Sequence, residues 1–577
     1  ASALAANTTG TDNVAVGSGA LDANTTASNN TAVGDNALGA CTTGGTNTAV
    51  GADALLVNTT ATNNTGIGNA SMLATTTGGA NTAVGHATLY SNTTGTNNVA
   101  MGSNALQNNT TVSNNVAIGY FAMVANTTGT QNTAVGSLAL DANTTGNYNT
   151  ALGMNALTAN TTADNNTAVG RDTLKANTTG GTNTAVGASS LVANEGGASN
   201  SAFGSGALGS NVSGSSNTAL GYNALSVNTT SNNTAVGYGA LDANTSGTSN
   251  TAVGKNALST NIDSTSSTAV GREALASSEG AYNTAVGAFC LDANTTGANI
   301  TGVGYNCLTS HTTGTSNTAF GDGAGSSTTT GTNNTAVGQA CMSANTTGGA
   351  NTVMGMNAYN YHTTASGNTA IGYNSIKGSA GATGADNTAL GSSSGYAIQS
   401  TATQNVCIGT QSGDGITTGS NNVTLGYDSG SDAMESITTD SNNVIIGNNS
   451  ISNAEIKVDW TVGSDQRDKT DIETLPDNAG LNFVNQMRPV TYVWDNRDNY
   501  HKYTDEKYGE RDHSKKSTVK QVGFIAQEIK EIEKSIGWED DHLVNTRNEQ
   551  SYKLMYSQVT PILVKAIQEL SAEVEEL

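Results

Sequence analysis

The stretch Asn-Thr-Ala-Val-Gly returns, with small variations, at intervals of 17 residues along most of this chain, its Gly falling at positions 17, 34, 51, 68 and onward to 447. The 26 anchor glycines leave 25 intervals, of which 20 are 17 residues long, two are shorter and three are longer. A unit this short cannot hold a helical hairpin, and its Asn, Thr and Gly content opposes helix. Two short strands and two turns per unit fit it. The expected fold is therefore mainly β, a parallel β-solenoid or β-roll whose coils, at ~4.8 Å each, stack into a rod on the order of 120 Å long. Such a rod has no compact substrate cleft of its own.

Side chains alternate along a strand, so Ala at −2 and Val at −1 from the anchor, as in Ala185 and Val186, point in opposite directions. Both directions are apolar, which implies that both faces are covered, and the pair at +3 and +4 (Ala37-Leu38, Ala156-Leu157) reads the same way. Val and Leu are expected to interdigitate in the lumen. The Ala face, being small, calls for close approach by another backbone, which several chains packed around a common axis would supply. The turn sequence Asn-Thr-Thr-Gly, at 7–10, 126–129 and 143–146 among others, offers Asn for bonding back to the main chain and Gly for positive φ. Aligned Asn and Thr are expected to form ladders on the outside.

This repeat resembles the head repeat of YadA-type trimeric adhesins, in which an Asn-x-x-Ala-Ile/Val-Gly strand builds a trimer of left-handed parallel β-rolls. The resemblance covers residues 13–447 and implies a homotrimer.

Composition divides the chain near residue 463. Residues 1–463 hold 6 Lys+Arg and 22 Asp+Glu, whereas residues 464–577 hold 15 and 22, with all three Pro in the second part and all five Cys in the first. The expected organisation is a repeat shaft over 1–447, a neck strand over 448–463 and a separate domain over 464–577. A net charge of −23 without a basic patch argues against a nucleic-acid partner. No run of 18 apolar residues occurs and no basic, apolar leader opens the chain, so membrane insertion is not expected. The chain starts at Ala1, and an attachment region is expected before it.

Cys290, Cys307 and Cys341 each stand three after an anchor, where Ala is usual, and read as small core residues; Cys290 and Cys307 occupy successive coils. His86, His311 and His362 lack ligand spacing, and neither metal nor cofactor is expected. Asp22, Asp141, Asp242 and Asp292 share the position five after the anchor and read as solvated corner residues. Asn-Thr-Thr triplets satisfy the N-glycosylation pattern but read as turn residues.

Beyond the repeat, Ile456–Gly463 alternates like a terminal strand. There follow Ser464-Asp-Gln-Arg-Asp-Lys469, then Gly480-Leu-Asn-Phe-Val-Asn-Gln-Met-Arg-Pro-Val-Thr-Tyr-Val-Trp494, then Val522-Gly-Phe-Ile-Ala-Gln-Glu528, and a terminal run from Tyr552 to Leu577. This ordered set resembles the intramolecular chaperone autoprotease (peptidase S74 family) at the carboxyl end of phage endosialidases and tail fibres and in the myelin regulatory factor. The resemblance implies a small α+β folding clamp that trimerises and cuts itself off. It makes Ser464 the nucleophile, Lys469 its partner and Gly463-Ser464 the bond cut. Asp468 departs from the family pattern, which is usually apolar there.

A hydroxyl needs a base to become a nucleophile, and a Lys serves once burial or a neighbouring cation, here Arg467, favours its neutral form. In an extended strand residues five apart face opposite sides, so Ser464 and Lys469 meet only across a turn or between chains. Apolar positions 522, 525, 529, 532 and 536 outline an amphipathic helix, and Val559, Ile562, Leu563, Ala566, Ile567, Leu570, Val574 and Leu577 form a heptad-like seam for a terminal coiled coil.

Together these features point to a virion tail fibre, folded in the host cytoplasm, that attaches to a host-cell receptor, either a glycan or an outer-membrane component, and contacts other tail proteins. The lengthened coils between 372 and 447 are the expected contact loops. The only catalysis expected is one self-cleavage per chain. The competing readings are a trimeric bacterial surface adhesin and a Thr-rich ice-binding solenoid. Glycan hydrolysis lacks paired carboxylates on a recurrent face.

Overall fold

The computed structural model describes residues 2–399, 401–431, 437–448, 450–451, 455, 457, 464–495, 513–514, 516–540, 542–546 and 552–577. Its first part forms 26 three-residue strands, β1 (Val14–Val16) to β26 (Val444–Ile446), one in each repeat. Neighbouring strands run parallel and in register, Thr31 beside Thr48, Ala32 beside Ala49 and Val33 beside Val50, and all 26 join one sheet. The expected second strand is replaced by turns, whose amides still bond from coil to coil: Leu38 N–H to the Ala54 carbonyl (3.0 Å), Thr42 N–H to that of Thr59 (3.0 Å).

The strand faces are the reverse of the expectation. Ala at −2 fills the lumen, Ala32, Ala49 and Ala185 being fully buried, while the −1 residue is on the outer face and never buried in any of the 26 strands. The pair at +3 and +4 does not alternate at all, because it lies in a turn. Leu38 adopts φ 52°, which turns its side chain back into the lumen beside Ala37. A left-handed Leu costs about 1–2 kcal/mol, and its complete burial returns roughly the same amount.

The lumen is narrow enough for neighbours to compensate each other's volume. Where Met72 replaces Leu, the facing −2 residue is Gly66, on which a Cβ would lie 3.2 Å from Met72 Cε. Where Cys290 replaces Ala, the facing residue is Gly302, on which a Cβ would lie 2.7 Å from the sulfur. The anchor Gly is required twice over: Gly34 has φ 143°, and a Cβ there would lie 2.4 Å from the carbonyl oxygen of Gly51.

The Asn ladders run inside the solenoid, contrary to expectation. In the −4 ladder, Asn47 receives its place from Asn30, whose Oδ1 accepts the Asn47 N–H (2.9 Å), while Asn47 Nδ2 donates to the Ala61 carbonyl (2.9 Å). In the +7 ladder, Asn143 Nδ2 donates to Asn126 Oδ1 (3.0 Å) and to the Gly146 carbonyl (3.1 Å). Each rung satisfies the next, which is what buried amides require. Thr hydroxyls bond along the outer side, as Thr144 does to the Thr161 carbonyl (3.0 Å). The Gly of Asn-Thr-Thr-Gly does not supply positive φ. It permits close approach, since a Cβ on Gly129 would lie 2.3 Å from the Gly146 carbonyl oxygen.

Two rungs of the +7 ladder are histidines. His311 lies between Asn294 Oδ1 (3.1 Å from Nδ1) and Asn317 Nδ2 (3.0 Å from Nε2), an arrangement that suits the neutral ring with its proton on Nδ1. His362 stacks on Tyr359 with centroids 4.3 Å apart, and neither of its nitrogens has a hydrogen-bond partner. Burial pushes both rings down to about 4. The unfolded ring titrates near 6.5, so the unfolded state takes up protons first. The stability these rings contribute is complete above about pH 6.5 and falls as pH drops toward 4, by up to roughly 3 kcal/mol for each. Thermal unfolding between pH 7 and 5 should show this loss, and the His311→Asn/His362→Asn variant should lose markedly less. Equal losses would contradict the assignment.

The second part holds α1 (Leu481–Gln486), β27 (Val490–Tyr492), β28 (Gln521–Gly523), α2 (Ala526–Ser535), β29 (Val544–Asn545), β30 (Lys553–Leu554) and α3 (Tyr556–Glu576). β27 with β28 and β29 with β30 are antiparallel pairs. The expected helix from 522 starts at Ala526 instead, because Gln521–Gly523 pairs as a strand. Phe483, Ile529, Ile532, Val544, Val559 and Ile562 form a core of their own. The expected seam of α3 is split: Val559, Ile562 and Ala566 are buried in the domain, whereas Leu563, Ile567, Leu570 and Val574 are exposed.

A buried charge pair ties α2 to the segment before β29. Glu533 is fully buried, accepts the Leu543 N–H (2.5 Å) and lies 3.5 Å from Lys530 Nζ, which also donates to the Asp540 carbonyl (3.1 Å). Glu533→Ala removes the carboxylate from both, and should cost about 3–5 kcal/mol of domain stability. Urea unfolding followed by Trp fluorescence measures it, and a loss under about 1 kcal/mol would show that the pair is dispensable.

Candidate functional site

Ser464 and Lys469 come together within one chain. Asp465 caps a 3-10 turn, Gln466–Asp468, by accepting the Arg467 N–H (2.9 Å). The Lys469 N–H closes the turn on the Gln466 carbonyl (3.2 Å). This reversal overrides the alternation of an extended strand and brings Lys469 Nζ to 2.6 Å from Ser464 Oγ. Both residues are exposed.

Arg467, which the sequence suggested as a cationic neighbour of Lys469, pairs with Asp465. Its guanidinium chelates Asp465, with Nε 3.0 Å from Oδ1 and Nη2 2.5 Å from Oδ2. The pairing holds the Asp465 carboxyl below its usual range and raises the guanidinium. Asp465 thus fixes the turn that positions the pair. Sequence reasoning passed over it, although Asp two residues before an amide it can cap is a recognisable turn signal. Gly463 and most of the neck strand lie outside the described residues.

The remaining motif residues make contacts within the domain itself. Arg488 Nε donates to Glu528 Oε2 (3.1 Å), and Arg488 Nη2 contacts Oε1, joining the Met-Arg-Pro and Ala-Gln-Glu segments. Gly523 admits the Tyr556 hydroxyl, which lies where its Cβ would fall and accepts the Phe524 N–H (3.1 Å). Gly480 makes room for the Glu569 carboxylate, which accepts the Leu481 N–H at the start of α1 (2.6 Å). None of these three partnerships was visible from spacing.

Among the described residues of the shaft no comparable pair is found. All five cysteines are buried free thiols, with Cys341 pushed up to about 12 by burial. Among the corner aspartates, Asp22 is exposed, Asp292 accepts the Thr309 hydroxyl (2.7 Å), and burial raises Asp141 and Asp242, which are half-buried rather than solvated. Among the described residues no group of three or more His, Cys, Asp or Glu could hold a metal ion.

No curated protein and no solved structure matches the chain. Residues 464–537 match the family model described as chaperone of endosialidase. That match opens on Ser464, the first residue of the capped turn, and extends through α2, so the carboxyl end of this chain carries a chaperone-of-endosialidase domain preceded by a long parallel β-solenoid.

Proposed function

We propose that this chain is a trimeric virion fibre whose carboxyl-terminal domain guides assembly and then releases itself by cutting Gly463-Ser464. The observation that carries the reading is the 2.6 Å contact between Lys469 Nζ and Ser464 Oγ at the first residues of the matched domain. With the amine neutral, Nζ takes the hydroxyl proton as Oγ attacks the Gly463 carbonyl carbon. The Gly463-Ser464 C–N bond breaks, the proton passes to the departing Ser464 nitrogen, and an ester joins Gly463 to Oγ. Water splits the ester, leaving a carboxylate on Gly463 and restoring the hydroxyl.

Because the pair already meets in one chain, assembly has a different task from bringing it together. Covering of the pair by the other copies would take it out of water, and burial favours the neutral amine that the step needs. The exposed apolar residues Leu563, Ile567, Leu570 and Val574, spaced four, three and four, suit α3 to a three-stranded bundle. Host attachment, through a surface glycan or outer-membrane component, follows from the fibre reading, with the lengthened coils between 372 and 447 as its contact loops.

Denaturant-unfolded chain diluted into buffer tests the coupling. A product ending at residue 463 should appear only as oligomers form. Cleavage that runs at full rate in monomer would contradict it.

A further inference from the structure

The third residue of every strand, β1 to β26, is Val, Ile, Leu, Met or Phe, without exception, and all 26 lie on the outer face. Leu152 is 47% exposed, Phe203 40%, Phe320 56% and Ile446 61%. The neighbouring outer column, at the first strand residue, is Thr in 19 coils, Ser in one and Val in six. Solubility alone would place hydroxyls in both columns. An unbroken apolar column along a whole solenoid is a surface meant to be covered.

We propose that this −1 column is where copies of the same shaft pack, parallel and in register, a step that rests on the assembly proposed above. The partner must present apolar side chains at the same rise per coil for 26 coils, and a second copy of this chain does so by construction. The column also stays apolar where coil length changes: Ile371, Leu390, Ile408, Leu425 and Ile446 span intervals of 19, 18, 17 and 21 residues. Insertions therefore leave the sheet register, and with it this face, untouched. A strip about 120 Å long and roughly 10 Å wide covers on the order of 1,200 Å² per copy, within the range of stable interfaces. The +1 residues beside it mix Tyr222, Tyr238, Arg272 and Tyr305, types enriched at interfaces, with polar residues such as Ser18, Asp35 and Asp322.

In a symmetric parallel assembly the same −1 residue of each copy faces its equivalents, so a cysteine there should cross-link between copies. The native thiols are all buried and stay silent. Leu220→Cys, treated with a short bis-maleimide in the full chain, should give covalent multimers, whereas Thr128→Cys, also exposed, should give none. Sedimentation of the untreated proteins accompanies the test. An oligomer in which Leu220→Cys fails to cross-link, or in which Thr128→Cys links equally well, overturns the interface while leaving the assembly reading intact. A chain that sediments as monomer overturns both.

Discussion

Ser464→Ala is expected to leave the full 577-residue chain intact after folding and assembly, with cleavage reduced by roughly 10⁴-fold or more. The substitution removes the hydroxyl that Lys469 Nζ contacts and leaves the capped turn alone, since Asp465 and Arg467 hold it. Lys469→Ala should give the same intact chain, because an un-ionised hydroxyl without a base attacks poorly. Lys469→Arg adds a sharper test. It keeps the charge and the length but cannot become neutral, so it too should fail to cleave. Denaturing electrophoresis of the variants beside wild type reads all three. Shortening of the Ser464→Ala chain at residue 463 would mean that another protease makes the cut.

The second large effect concerns the lumen. Ala185→Asp places a carboxylate among fully buried Ala and Leu side chains, and should cost on the order of 5 kcal/mol per chain. Val186→Asp, one residue on, puts the same group on the outer face and should cost the single coil less than about 1 kcal/mol, acting instead on the association of copies. Thermal unfolding separates the two. Had Val faced the lumen, as its size and apolarity suggested, the order would be reversed.

That reversal shows what the sequence could and could not convey. The expected second strand gave way to turns, leaving one sheet, whereas the period and the parallel stacking of coils were legible because each repeat is one rung. Which strand face was inside was not, because Ala and Val are both apolar. The pertinent signal was volume: position −2 is Ala or Gly in all but four coils, whereas position −1 ranges from Val to Phe. A site held small marks a narrow lumen, and a site free to vary marks an open face. The ladder of aligned Asn was legible, but its side was not: Asn reads as a turn residue, whereas Asn30, Asn47 and Asn64 are buried and each Oδ1 accepts the amide of the next rung. The Ser464 and Lys469 pair was legible as residues, through the resemblance of their surroundings. Its geometry was not, because the turn that makes it depends on the Asp465 cap.

Intact-mass measurement of the purified, assembled wild-type protein, with the amino-terminal residue of the smaller product determined alongside, tests self-release most directly. The expected result is two species, residues 1–463 and residues 464–577, the smaller beginning at Ser464. A folded, oligomeric preparation that contains only the uncut chain, or a cut at any other bond, would contradict it.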